Sequence, residues 1–541
     1  MSSFFRSWIL FGCLLAALVT LFIGLMLRGP AIPEVAPVAP LAFEGARGGS
    51  SEAPPVLEPL TEEAIEVAEV EEEEWPEGYV PGEMVLHFST NSQLEAFLGA
   101  ARRAGLVHLD AEPLLRLIRL RNLDSEAARL ARSLAGDALL SYNPYVLTPE
   151  VPPLDGEMSR YRPFGDRALE WLGVPEDNRH WGEGVKVAIL DTGVDGHSSL
   201  SHLNVRGISL LDEASQQKGA GVHGTAVASL LAGSGDQVRG VAPAVNLMSI
   251  QVLDADGIGD GFSLAQGIIR AVEEGAHVIN LSLGTTIHSG FLQDAVNYAI
   301  HRDVVVVASA GNEGEGRLMF PARYPGVIAV GAVDREGQHV SFSNRGVELA
   351  VTAPGLGLTA AGAENDTTSF SGTSGATPLV TGSIAALMSL EPGLTAREAA
   401  QALVDHSNDA GPPGHDGYYG TGIMNVGRAA DRNTRGIYDM AIADHFLDRS
   451  GVSPALIVSV QNRGTEVAPN VQLEISVNGV GDTRALGGLR VGEVASVRIP
   501  LAQYQRLGQS DLVIFSKVSM LGATDGRPWN DVLQSQLRGS P

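Results

Sequence analysis

The 541-residue chain has one cysteine, Cys13, and three lysines, Lys186, Lys218 and Lys517. A single cysteine excludes an intrachain disulfide and leaves a cysteine-ligated zinc site without ligands. The shortage of lysine leaves a serine–lysine dyad very few candidate bases. Basic residues are absent from Ser51 to Val80, a stretch that holds eleven glutamates, including Glu71 to Glu74. Much of the formal charge of −26 therefore belongs to a tail and not to a working surface. No basic patch is visible, so nucleic acid is not an expected partner.

Charge is absent from Trp8 to Leu27, an apolar run that lies between Arg6 and Arg28 and is long enough to span a bilayer. Residues 1–30 are read as an uncleaved membrane anchor, with a cleaved signal segment as the alternative; the rest of the chain is expected outside the cytoplasm, anchored or secreted. Leu10-Phe11-Gly12-Cys13 only faintly resembles a lipoprotein box. Residues 31–77, rich in Pro, Ala and Glu, read as a disordered linker.

What the sequence does have falls into three textures. Over 78–150, "EMVLHF", "LLRLIRL" and "ALLSYNPYVL" alternate like strands, and "SQLEAFLGAARRAG" and "DSEAARLARSLAG" have helical spacing. This β-α-β-α-β order fits a small ferredoxin-like α+β unit. Over 165–435, buried strands such as "VKVAIL", "HVINLSL" and "DVVVVASA" alternate with helices such as "FSLAQGIIRAVEEGA". That pattern calls for an α/β fold with a parallel sheet covered by helices on both faces, and a site at the C-terminal strand ends. Over 436–541 helices give way to short alternating strands, as in a β-sandwich that loosely resembles immunoglobulin-like modules.

Four segments carry chemistry. Asp191 stands where "VKVAIL" meets the loop "DTGVDGH", and no second "DTG" supports an aspartic protease. His223, in "GVHGTAVASLLAG", opens a helix among small residues that allow another backbone close, and its imidazole can accept a proton. Asn312, in "ASAGNEG", follows a strand and offers a side-chain amide to an oxyanion. Ser374 lies in "SFSGTSGATPLV" (Ser369 to Val380), a hydroxyl-rich stretch that alone reads as a turn capping a helix, with Pro378 in the first turn.

The order Asp, His, Ser separates hydrolase classes. α/β-hydrolases run Ser, acid, His, and chymotrypsin-like enzymes run His, Asp, Ser. Over about Gly182 to Ala430, "VAILDTGVDGH", "VHGTAVASLLAG", "VINLSLG" with "ASAGNEG", and "SGTSGATPLVTG" resemble the subtilisin-like serine proteases. The resemblance implies Ser374 as nucleophile, His223 as general base, Asp191 as its orienting carboxylate and Asn312 as oxyanion donor. It also implies Ser282, Leu283 and Gly284 as the edge that pairs with a peptide substrate. His197 matches a position often histidine in the family and is read as structural.

The resemblance further implies a zymogen whose unit 78–150 is an inhibitory propeptide, with its last strand lying in the active-site cleft and self-cleavage somewhere after Tyr145 and before about Ala168. Protein or peptide substrates follow. No cofactor is expected; many relatives carry calcium, but no loop here earns an assignment, and acidic Asp254 to Gly261 resembles a substrate-side loop. Gly375 departs from the family, which most often has methionine there. An inactive binding protein and an esterase on the same scaffold are the competing classes, to be told apart by labelling of Ser374 and by casein hydrolysis.

Overall fold

The computed structural model describes residues 75–106, 108–152, 156–211, 221–449, 454–501 and 511–538. The expected anchor and nearly all of the linker lie outside the described residues. Among those described, no helix is long and apolar enough to cross a membrane.

The first unit runs β1 (Tyr79–His87), α1 (Asn91–Arg103), β2 (Leu109–Glu112), β3 (Leu117–Leu120), α2 (Ser125–Ala135) and β4 (Leu139–Leu147). Its strands lie in the order β2-β3-β1-β4, the ferredoxin-like arrangement. The β2–β3 hairpin is one strand more than the sequence pattern suggested. β2 is only four residues long and ends at Pro113, too short for alternation to register. Local chemistry sets both helix starts. Thr90 and Gln93 form a capping box, and Asp124 accepts the N–H groups of Glu126 and Ala127. Trp75 packs edge-on against Tyr142 of β4.

The second unit is built on seven parallel strands: β5 (Lys186–Asp191), β6 (Arg206–Ser209), β7 (Asn246–Gln251), β9 (Val278–Leu281), β10 (Val305–Ser309), β11 (Ile328–Val333) and β12 (Val351–Pro354). Short β8 (Ile258–Asp260) lies outside this sheet. The order is β12-β11-β10-β9-β5-β7-β6. Alternate residues of β5 feed opposite layers. Ala188 and Leu190 pack with α4 (Gly261–Glu273) and α5 (Gly290–His301). Val187 and Ile189 pack with α3 (Val222–Ala232). That second face is completed by α6 (Thr373–Leu390), α7 (Ala396–Asp405) and α8 (Val426–Asp431). Strands buried on both sides explain the unbroken apolar runs. A hairpin of β13 (Leu358–Ala361) and β14 (Thr367–Phe370) leads into α6. From β5 the chain steps out to the edge strand β6, returns through β7, and then crosses β5 to build outward from β9 to β12 on the other side. The β5/β9 crevice is therefore the switch point where such folds hold ligands.

The third unit is an antiparallel sandwich. β15 (Met440–Asp448), β16 (Ala455–Asn462) and β19 (Val494–Pro500) face β17 (Ala468–Val477), β18 (Val480–Leu489), β20 (Asp511–Met520) and β21 (Val532–Arg538). Inward side chains such as Leu456, Val458, Leu473 and Val518 form its core. The first and second units share one continuous sheet edge, because β4 pairs antiparallel with β8.

Candidate active site

Asp191 ends β5 and is 1% exposed. A buried carboxylate must be hydrogen-bonded, and this one accepts from Thr192 N–H (2.7 Å) and from Nδ1 of His223 (2.8 Å to Oδ1, 3.1 Å to Oδ2). His223 is the second residue of α3, with its side chain 20% exposed. The small residues after it have a concrete reason. A Cβ on Gly224 would fall 2.1 Å from the Gly193 carbonyl oxygen, so the Asp191 loop and the helix start can only meet through glycine. The same junction is tied by Gly224 N–H to Thr192 Oγ1 at 3.0 Å.

Ser374 is the second residue of α6 and 2% exposed. The turn before it requires Gly372, whose φ is 120°. Pro378 is the sixth residue of α6 and not in its first turn. Lacking an N–H, it leaves the carbonyl of Ser374 without its helical donor. Ser282 Oγ supplies one instead at 2.9 Å. That hydroxyl in turn accepts from Asn280, which accepts from Thr381 Oγ1. A buried chain of hydrogen bonds thus locks the helix start onto β9. Asn280 is a polar residue inside the apolar "HVINLSL", and that contrast was the available signal for it.

Asn312 follows β10. Its Oδ1 accepts from both N–H and Oγ1 of Thr373 (2.9 Å each), which fixes the amide so that Nδ2 points into the cleft. Asp191, Ser282 to Gly284 and Asn312 all follow C-terminal ends of neighbouring parallel strands, and α6 brings Ser374 to the same rim.

Gly375 has a structural account. A Cβ there would come 2.9 Å from Leu358 and 3.2 Å from the Phe370 ring. Leu358 and Phe370 together fill the space that a side chain at 375 would enter, and Phe370 stacks edge-on to the His223 imidazole with centroids 5.2 Å apart. His197 caps a short 3₁₀ turn through Ser199 and reaches the Asp366 carbonyl at 3.0 Å, so it serves the loop. Asp254 accepts the N–H groups of Asp256 and Ile258, and Asp260 caps α4, so the acidic stretch shapes β8 and the helix start. Among the described residues no group of three His, Cys, Asp or Glu side chains is disposed to hold a metal ion.

The cleft is filled by the chain itself. At the end of β4, Leu147 exchanges two 2.9 Å backbone bonds with Gly284; just beyond it, Thr148 N–H reaches the Gly257 carbonyl (3.0 Å), and Asn312 Nδ2 donates to the Pro149 carbonyl (3.0 Å). Val146 is fully buried among the apolar residues of the α4/α5 layer, which is worth about 1.5–3 kcal/mol to the docked strand. Sequence spacing gave no sign of Gly257 or Pro149, because their roles depend on the docking of two units. The same docking is charged. Arg119 binds Asp110 and Asp260, and Asn143 binds Asp260 and Glu83. Burial, and then the Asp260 charge, raise the pKa of Glu83. The cavity of about 930 Å³ at the seam with the sandwich, lined by Arg428, Arg463 and Trp529, shares no lining residue with this cleft.

Residues 182–422 match the subtilase family (peptidase S8). The chain is 41% identical over 249 residues to Subtilisin Savinase of Lederbergia lenta, covering 45% of this chain and 90% of that protein. It is 39% identical over 251 residues to the thermostable alkaline protease of Halalkalibacterium halodurans, covering 46% and 68%. Among solved structures, a mutant of the protease domain of PatA aligns with 32% identity and a TM-score of 0.42, covering 47% of this chain and 96% of that one.

Proposed function

The chain belongs to the subtilase family, and from that we propose that it is a serine endopeptidase working through Ser374, His223 and Asp191. The observation that carries this reading is the 2.8 Å contact between Asp191 and His223 at the rim where Ser374 starts α6. In the proposed reaction Ser374 Oγ attacks a peptide carbonyl while His223 Nε2 takes its proton. Asp191 holds the imidazole in the tautomer that leaves Nε2 free and stabilises its charged form. The Asn312 amide and the Ser374 N–H at the helix start face the oxyanion. The acyl-enzyme forms as the leaving amine takes the proton from His223, and water then releases the acid. Substrates are proteins or peptides that add as a strand along Ser282 to Gly284. The decisive experiment is fluorophosphonate labelling of the mature protein: covalent label on Ser374 is expected, and its absence would favour a binding protein.

Asn312→Asp should lower kcat by about 10²–10³ with little change in KM, because it replaces a donor by an acceptor only where the oxyanion develops. Steady-state kinetics on a chromogenic peptide checks this.

The unit 78–150 is proposed to be an inhibitory propeptide of an exported zymogen. Its support is the tail in the cleft and the Arg119–Asp260 contact. The raised pKa of Glu83 gives this inhibition a pH dependence. The groups facing Glu83 are Asp260, Arg119, Arg121 and Asn143. The docked form binds the Glu83 proton more tightly than an exposed carboxyl does. Docking therefore strengthens as pH falls through that raised pKa and weakens as pH rises through it. Glu83→Gln should tighten latency at pH 8 and flatten its change between pH 4 and pH 8. Residual activity of the processed, still-bound complex is the readout.

A further inference from the structure

The backbone pairing in the cleft identifies one peptide bond. Leu147 and Gly284 form a hydrogen-bonded pair of an antiparallel ladder. In such a ladder the next hydrogen-bonded pair lies two residues along each strand in opposite directions. It would join Pro149 to Ser282. One half of that pair cannot form, since Pro149 has no N–H to give the Ser282 carbonyl. The carbonyl is taken by another donor: the hydroxyl of Ser374, at 3.3 Å. Meanwhile the Pro149 carbonyl sits on Asn312 Nδ2 at 3.0 Å, where an acyl carbonyl under attack would be. The tail is thus docked as a substrate with its reacting group in place, while the hydroxyl that should attack is bonded away from His223.

We propose that Pro149–Glu150 is the self-processing bond and that Pro149 is a brake on its cleavage. The proposal rests on the protease reading above. In the step itself, Ser374 Oγ bonds to the Pro149 carbonyl carbon and its proton passes to His223. The bond to the Glu150 nitrogen breaks, and that nitrogen leaves as an amine with the His223 proton. Water then hydrolyses the Pro149–Ser374 ester and releases the Pro149 carboxylate. A residue with an N–H at 149 would fill the Ser282 carbonyl, hold the acyl group by one more hydrogen bond and free Ser374 to donate to His223. One hydrogen bond of about 1.4 kcal/mol corresponds to tenfold in rate. Pro149→Ala and Pro149→Leu should therefore self-process at least about tenfold faster.

The test is a pulse-chase of the full-length chain carrying each substitution, with and without Ser374→Ala, read by N-terminal sequencing and fluorophosphonate labelling. The expected result is a mature chain starting at Glu150, formed slowly in the wild type and faster in both Pro149 variants, and absent wherever Ser374 is alanine. Mature chains starting at another residue, or Pro149 variants that label normally but process no faster, would overturn the proposal while leaving the protease reading intact. If no variant labels or hydrolyses casein, the protease reading itself fails. Maturation that persists in Ser374→Ala would assign the cut to another protease and overturn self-processing.

Discussion

Ser374→Ala is expected to lower kcat/KM for peptide hydrolysis by about 10⁴-fold or more and to abolish fluorophosphonate labelling. The loss is in chemistry and not in folding. The substitution removes one oxygen from a buried helical position that alanine suits well. Among the described residues its hydroxyl makes one hydrogen bond, the 3.3 Å contact to the Ser282 carbonyl. The contacts that hold the helix start use the Ser374 carbonyl, Thr373 and Asn312, and all of them survive. The variant should therefore keep its thermal midpoint within a few degrees and still hold the Leu147–Pro149 segment in the cleft. Residual turnover should remain above the uncatalysed reaction, since the oxyanion donors and the substrate-pairing edge are intact. A variant that kept casein hydrolysis would remove Ser374 from the mechanism, and one that unfolded would leave Ser374→Cys to carry the test.

How far this site was readable from sequence depends on how local each contact is. Asp191, His223, Asn312 and Ser374 each stand where an apolar run meets glycine or small residues, and the chemistry of such junctions is local. The parallel sheet was readable for a related reason: strands buried on both faces have to be apolar throughout. The Gly224 contact to the Gly193 carbonyl also follows from small residues beside the histidine. The β2–β3 hairpin was hidden because four residues carry too little alternation. Gly375 stands where the family most often has methionine, and no local pattern says what it packs against. Only the packed structure reveals Leu358 and Phe370 beside it, with Phe370 against His223. Pro149 was the least readable of all. Its carbonyl meets an amide 163 residues away, and its missing N–H matters only once Leu147 has found its register on Gly284. The register of one unit on another is set by docking contacts such as Arg119 with Asp260, which no local pattern encodes.

Asp191→Asn should cost about 10⁴-fold in kcat while leaving the fold and KM nearly unchanged. Asparagine keeps the shape of the side chain and, through its carbonyl oxygen, the bond from Thr192 N–H. What changes is the direction of one hydrogen bond. The carboxylate accepts from His223 Nδ1 through two oxygens, at 2.8 and 3.1 Å. An amide nitrogen facing Nδ1 donates instead, so Nδ1 becomes the acceptor and the proton moves to Nε2. That nitrogen then cannot take the Ser374 proton. The positive charge that develops on His223 also loses its neighbouring anion at a buried position, where little water is present to replace it. The amide should therefore be almost as damaging as alanine at 191, whereas a residue acting by packing alone would tolerate it. Kinetics on a chromogenic peptide, alongside thermal melts of Asp191→Asn and Asp191→Ala, separates the two. Near-normal kcat in Asp191→Asn would mean that Asp191 serves the fold and that the orienting charge comes from elsewhere.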